Sequence, residues 1–87
     1  MIDNCPPNLV NETAEARISL TWTPPNATDN RDSAENITVL ESHRPGDNFT
    51  AGSVTEVIYT FTDTSNNSDT CVFNVTVNGK KKFFLYL

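Results

Sequence analysis

Thr13-Ala14-Glu15-Ala16-Arg17-Ile18-Ser19-Leu20-Thr21-Trp22-Thr23 is the stretch whose reading decides the fold. Ala14, Ala16, Ile18, Leu20 and Trp22 alternate with polar side chains across all of it. A period of two places successive side chains on opposite faces, which predicts a long strand with one buried face and one wet face. Pro24 and Pro25 end it, because proline cannot donate to a ladder.

The same signature recurs further along. Val57, Tyr59 and Phe61 alternate with Glu56, Ile58, Thr60 and Thr62, so Val54 to Asp63 reads as a second strand. Cys71, Phe73, Val75 and Val77 alternate with Val72, Asn74, Thr76 and Asn78 as a third, and Asn78 and Gly79 read as the turn that ends it. Between these two strands, Thr64 to Asp69 has the polar chemistry of a hairpin connection. Residues 26–36 have loop composition, Ile37 to Leu40 restart a short strand, and Pro45 to Asn48 form a turn. A weaker N-terminal strand is expected around Leu9 and Val10. No window sustains a helical period. Together these features predict an all-β fold, an immunoglobulin-like antiparallel β-sandwich of six to seven strands. Trp22, Tyr59, Phe61 and Phe73 are its expected core framework. Phe49, in the predicted turn, is either a lid on the core edge or an exposed contact residue.

Eighty-seven residues suffice for one domain, whose core is small enough to profit from a covalent staple. Cys5 and Cys71 can supply one bridge; closing a loop of that length stabilises by roughly 4 kcal/mol in the chain-entropy model. They are too far apart for a redox Cys-x-x-Cys pair, and the chain has no Cys or His set for zinc.

All eleven Asp and Glu precede Gly79, where the bases are Arg17, Arg31 and Arg44; three against eleven leaves −8 for residues 1–79. A surface that acidic repels phosphate, so no nucleic-acid partner is expected. No apolar run is long enough for a membrane span, and the chain opens without a signal sequence, as a piece of a longer precursor would. Residues 79–87 form a non-domain tail in which Lys80, Lys81 and Lys82 precede five apolar residues. Read-through of an A- and T-rich intron, or a scar, accounts for it better than a linker or a functional segment.

Six Asn-x-Ser/Thr triplets occur, at Asn11, Asn26, Asn36, Asn48, Asn66 and Asn74. Chance would give about two from this Asn, Ser and Thr content. The excess points to an extracellular protein carrying N-glycans. Asn74 lies within a strand, but its neighbours Phe73 and Val75 point inward, so Asn74 is free to point out.

Other chemistry is sparse. His43 is the sole histidine, in a turn where exposure to water is the simple expectation, and no nucleophile motif surrounds it. Asp29, Asp32, Asp63 and Asp69 are weak calcium candidates: Asp29-Asn30-Arg31-Asp32 lacks the spacing of a calcium loop, and Arg31 puts a positive charge inside it. No other metal and no cofactor is expected.

Set in order, Asn4-Cys5-Pro6, Trp22-Thr23-Pro24-Pro25, Ala27-Thr28-Asp29-Asn30, His43-Arg44-Pro45-Gly46-Asp47, Val57-Ile58-Tyr59-Thr60-Phe61-Thr62-Asp63 and Asp69-Thr70-Cys71-Val72-Phe73-Asn74-Val75 resemble the hyalin repeat, or HYR domain, over residues 2–78. The resemblance implies an immunoglobulin-like sandwich occurring in tandem arrays in secreted and cell-surface proteins. It also implies a Cys5–Cys71 disulfide and a framework role for Trp22, and no catalytic residue. Asn66 stands where the family often has glycine, and asparagine tolerates the left-handed turn conformation that glycine would adopt. The expectation is therefore a non-enzymatic extracellular adhesion or matrix module that meets proteins, glycans and neighbouring modules. The alternative is an architectural spacer; calcium modulation is an overlay on both, and a hydrolase built on His43 is a distant third.

Overall fold

A computed structural model describes residues 2–27 and 37–79. Within them the chain is all β, in eight segments: β1 (Ile2–Asp3), β2 (Leu9–Thr13), β3 (Arg17–Ser19), β4 (Asn26–Ala27), β5 (Thr38–Glu41), β6 (Asn48–Thr50), β7 (Ser53–Thr62) and β8 (Ser68–Gly79). One layer is the four-stranded sheet β2-β8-β7-β5, and the other comprises the pairs β3-β6 and β1-β4. The inward faces of the two layers meet in a single core of Trp22, Phe49, Val57, Tyr59, Phe61, Cys71, Phe73, Val75 and Val77, against which Ile18, Leu20 and Leu9 are half-buried. This is a β-sandwich with immunoglobulin-like layering.

The β7–β8 hairpin is its spine. Ten residue pairs run in antiparallel register from Ser53↔Val77 to Thr62↔Ser68, and alternate residues on each strand are buried. Its turn closes on Asp63, whose Oδ1 accepts the N–H groups of Ser65 and Asn67 at 2.9 and 2.8 Å. Asn66 takes φ 65°, the left-handed geometry in which it substitutes for glycine. β8 begins earlier than its apolar pattern suggests, and Asn78 and Gly79 belong to it rather than to a turn, because β2 continues the ladder through Thr13↔Gly79.

The long strand expected from Thr13 to Thr23 does not form. Thr13 ends β2 in one layer, Arg17 starts β3 in the other, and the chain crosses between them through a turn in which Thr13 Oγ1 accepts the Glu15 N–H at 3.0 Å. Ala14 and Ala16 are exposed, while Ile18, Leu20 and Trp22 do point inward. Pairing with β6 reaches beyond β3: Ala51 N–H donates to Ala16 O at 2.9 Å, and Leu20 N–H donates to Asp47 O at 3.1 Å.

Other expectations need correction. The sheet is not wholly antiparallel, since β2 runs parallel to β8, both leading away from the Cys5–Cys71 end. Asn26 and Ala27 form a strand rather than a loop because β1 supplies a partner. Asn48 opens β6 rather than ending a turn; Phe49 sits in that strand opposite Ile18 and is a core residue, neither a lid nor an exposed contact. Asn36, Asp29, Asp32 and the tail after Gly79 lie outside the described residues.

Candidate interaction surface

Cys5 and Cys71 are disulfide-bonded, with Cα atoms 5.7 Å apart. The bridge ties the segment between β1 and β2 to the buried face of β8. Trp22 lies nearby, edge-on to Phe73 with ring centroids 5.3 Å apart, and its Nε1–H donates to Tyr59 Oη at 2.9 Å. The two polar tips of the buried aromatics thus satisfy each other. Burial raises the Tyr59 pKa above its usual 10.0; the Trp22 hydrogen bond works against this, and the nearby Glu41 carboxylate adds to the rise. Glu41 also pairs with Arg44 Nε at 3.0 Å.

His43 is half-buried rather than fully in water, since its ring packs on Phe49 at a centroid distance of 5.7 Å. Its Nδ1 is 2.9 Å from Ser42 Oγ, and that oxygen also accepts the Ile58 N–H at 2.8 Å. The contact fastens the end of β5 to β7. Asp63 organises the hairpin turn, with its Oδ2 also accepting from Asn67 Nδ2 at 3.2 Å, and Asp69 Oδ1 accepts the Thr70 N–H at 2.9 Å. Among the described residues no three His, Cys, Asp or Glu side chains gather as a metal site. A shallow cavity of about 420 Å³ lies beside the disulfide, walled by Pro6, Pro7, Leu9 and Trp22.

The sequon asparagines within the described residues are all exposed. Asn11 lies on the β2 edge, Asn26 on β4, Asn48 on β6, and Asn66 in the hairpin turn. Asn74 lies mid-strand on β8, and because Phe73 and Val75 are buried it faces outward from the four-stranded sheet.

That outer face has a composition unlike the rest of the acidic body. Register places Val10, Thr76 and Val54 in one row, Asn74 and Glu56 in the next, then Val72 and Ile58, then Thr70, Thr60 and Leu40. Val10, Val54, Val72 and Leu40 are 66%, 66%, 48% and 69% exposed. Across these rows Glu56 is the lone charge. Such a face is a surface feature to be explained rather than the scattered apolar exposure of an ordinary domain. Sequence reading passed over it, although a signal was present: Ile58 and Val72 occupy the polar phase of their strands and break the alternation.

The fold and its bridge define a disulfide-stapled β-sandwich module. The HYR domain family model matches residues 1–77, and the chain belongs to that family. It is 42% identical over 59 residues to hyalin of Lytechinus variegatus, covering 68% of this chain and 10% of that protein. It is also 50% identical over 36 residues to hyalin of Strongylocentrotus purpuratus, covering 41% of this chain and 3% of that protein. No solved structure matches it significantly.

Proposed function

We propose that this chain is a non-catalytic extracellular adhesion or matrix-interaction module, one repeat of a longer secreted or surface protein. The observation that carries the reading is the HYR match together with 42% identity to a hyalin of which the aligned segment is a tenth. The mechanism is surface complementarity: exposed strand faces and loop tips contact proteins, glycans or neighbouring modules, and the core only holds them in place. His43 has a structural environment, its ring packed on Phe49 and its neighbour Ser42 Oγ accepting the Ile58 N–H that fastens β5 to β7.

A second reading, the architectural spacer, is favoured by a different observation. Cys5 is bridged to Cys71 near the start of β8, whereas Gly79 ends β8 eight residues later. At about 3.4 Å per residue, entry and exit are separated by roughly 27 Å along the sheet. Such a module extends an array instead of folding it back.

Cell attachment to plates coated with the disulfide-bonded chain, confirmed by a thiol count and run with and without calcium, separates the two. Saturable attachment is the expected result. Absence of attachment by the bridged chain rejects the adhesion reading in favour of the spacer. Loss of attachment on calcium removal would show that calcium modulates the surface.

A further inference from the structure

We propose that Asn74 carries an N-glycan and that this glycan is what covers the apolar outer face of the β2-β8-β7-β5 sheet. Two independent observations converge on one position. Asn74-Val75-Thr76 is an acceptor triplet, and its asparagine is exposed in the middle of a strand. Around it lies the almost uncharged face, with Val10 and Val54 in the row on one side and Val72 and Ile58 in the row on the other.

Rows on one face of a strand are about 7 Å apart and neighbouring strands about 4.8 Å, so these apolar side chains are diagonal or next-row neighbours of the attachment point. The first sugars of an N-glycan present acetamido methyls and C–H faces alongside their hydroxyls. They can therefore lie on valine and threonine methyls while keeping their polar edges in water. Exposed apolar area of this kind is a liability for self-association, and a covalently attached amphipathic cover removes it without a partner chain. Asn48 and Asn66 lie on the opposite layer and in the hairpin turn, so their glycans would leave this face bare.

Transfer joins the Asn74 side-chain nitrogen to C1 of the first sugar of a lipid-pyrophosphate-linked oligosaccharide. The C1–O bond to the pyrophosphate breaks, the C1–N bond forms, the lipid pyrophosphate departs, and the amide nitrogen loses one proton to a base of the transferase. The acceptor is the extended chain before it folds, so the surrounding ladder is no obstacle.

The inference rests on the extracellular part of the proposed function but not on adhesion. Its test is to secrete the full chain from eukaryotic cells and map occupancy by enzymatic deglycosylation in ¹⁸O water, which marks each formerly glycosylated asparagine by mass. Asn74 is expected to be occupied. Asn74→Gln and Thr76→Ala should raise binding of an apolar fluorescent dye severalfold, whereas Thr76→Ser, which keeps the acceptor, and Asn48→Gln should not. Thr76→Ala retains Asn74 itself, which guards against a folding defect at that residue. A bare Asn74 in secreted, bridged chain overturns the inference, as does equal dye binding by Asn74→Gln and Asn48→Gln. Dimerisation of the secreted chain with Asn74 bare would show that a second copy is the cover. Failure of cell attachment with Asn74 occupied would count against adhesion alone.

Discussion

Thr13–Thr23 and Val54–Asp63 carry the same alternation of apolar and polar residues, yet one becomes a turn and a three-residue strand while the other lies almost wholly within a ten-residue strand. Partners account for the difference. β7 is paired on both sides, by β8 over ten residues and by β5 over four, whereas β3 has a partner in β6 for only three. Period two reports which way side chains face in an extended chain; ladder length depends on what runs alongside. Ile18, Leu20 and Trp22 therefore face the core as the pattern demands, although Leu20 and Trp22 lie outside β3.

If the hairpin is the spine, truncating its centre should cost more than truncating the matching position in the N-terminal half. Phe73→Ala removes a buried ring that Trp22 and Tyr59 pack against, and should destabilise by about 3–5 kcal/mol. Ile18→Ala removes a half-buried side chain and should cost about 1–2 kcal/mol. Urea denaturation of both variants reads the gap, and equal losses would mean that the two halves form one equally cooperative core.

The disulfide is the covalent link between the two regions. Replacing both cysteines by alanine should cost about 2–4 kcal/mol, mostly by freeing the unfolded chain. Hydrogen exchange should show the loss unevenly: amides of β1 and β2 lose protection first, and those at the centre of β7 and β8 keep it longest. Uniform loss of protection would show that the bridge supports the hairpin as much as it anchors the N-terminal segment.

What could be read in advance follows the same division. The facing of Tyr59, Phe61, Phe73 and Val75 was legible because each strand's own alternation determines it. So was the left-handed Asn66, because the resemblance to the HYR family implies glycine at that position of the turn. β1 and β4 were not, since Ile2-Asp3 and Asn26-Ala27 are too short to have a period and become strands only by meeting each other. Phe49 was misplaced because it follows directly on Pro45 to Asn48, which read as a turn, while its burial depends on Ile18, thirty-one residues earlier. The outer apolar face was missed for a related reason: Val10, Thr76 and Val54 form a row only once the register of three strands is known.

A finer, pH-dependent effect lies at one hydrogen bond among the contacts between the two regions. Tyr59 belongs to the hairpin, Trp22 to the N-terminal half, and the Trp22 Nε1–H donates to the tyrosine oxygen. Burial lifts the Tyr59 pKa in the folded chain above 10.0, the value appropriate to the unfolded one. The folded state then holds the phenolic proton more tightly, so the stability gained is fully present below pH 10 and is lost as pH rises through the folded value. Stability measured by urea between pH 8 and 11 should fall at the alkaline end, and Tyr59→Phe should remove that part of the slope. The variant also leaves the indole N–H without its acceptor, lowering stability by about 1–3 kcal/mol at every pH, so the slope and not the level carries the result. An unchanged slope in Tyr59→Phe would mean that the tyrosine is as free to ionise in the fold as out of it, and that the contact between hairpin and N-terminal half is looser than their shared core implies.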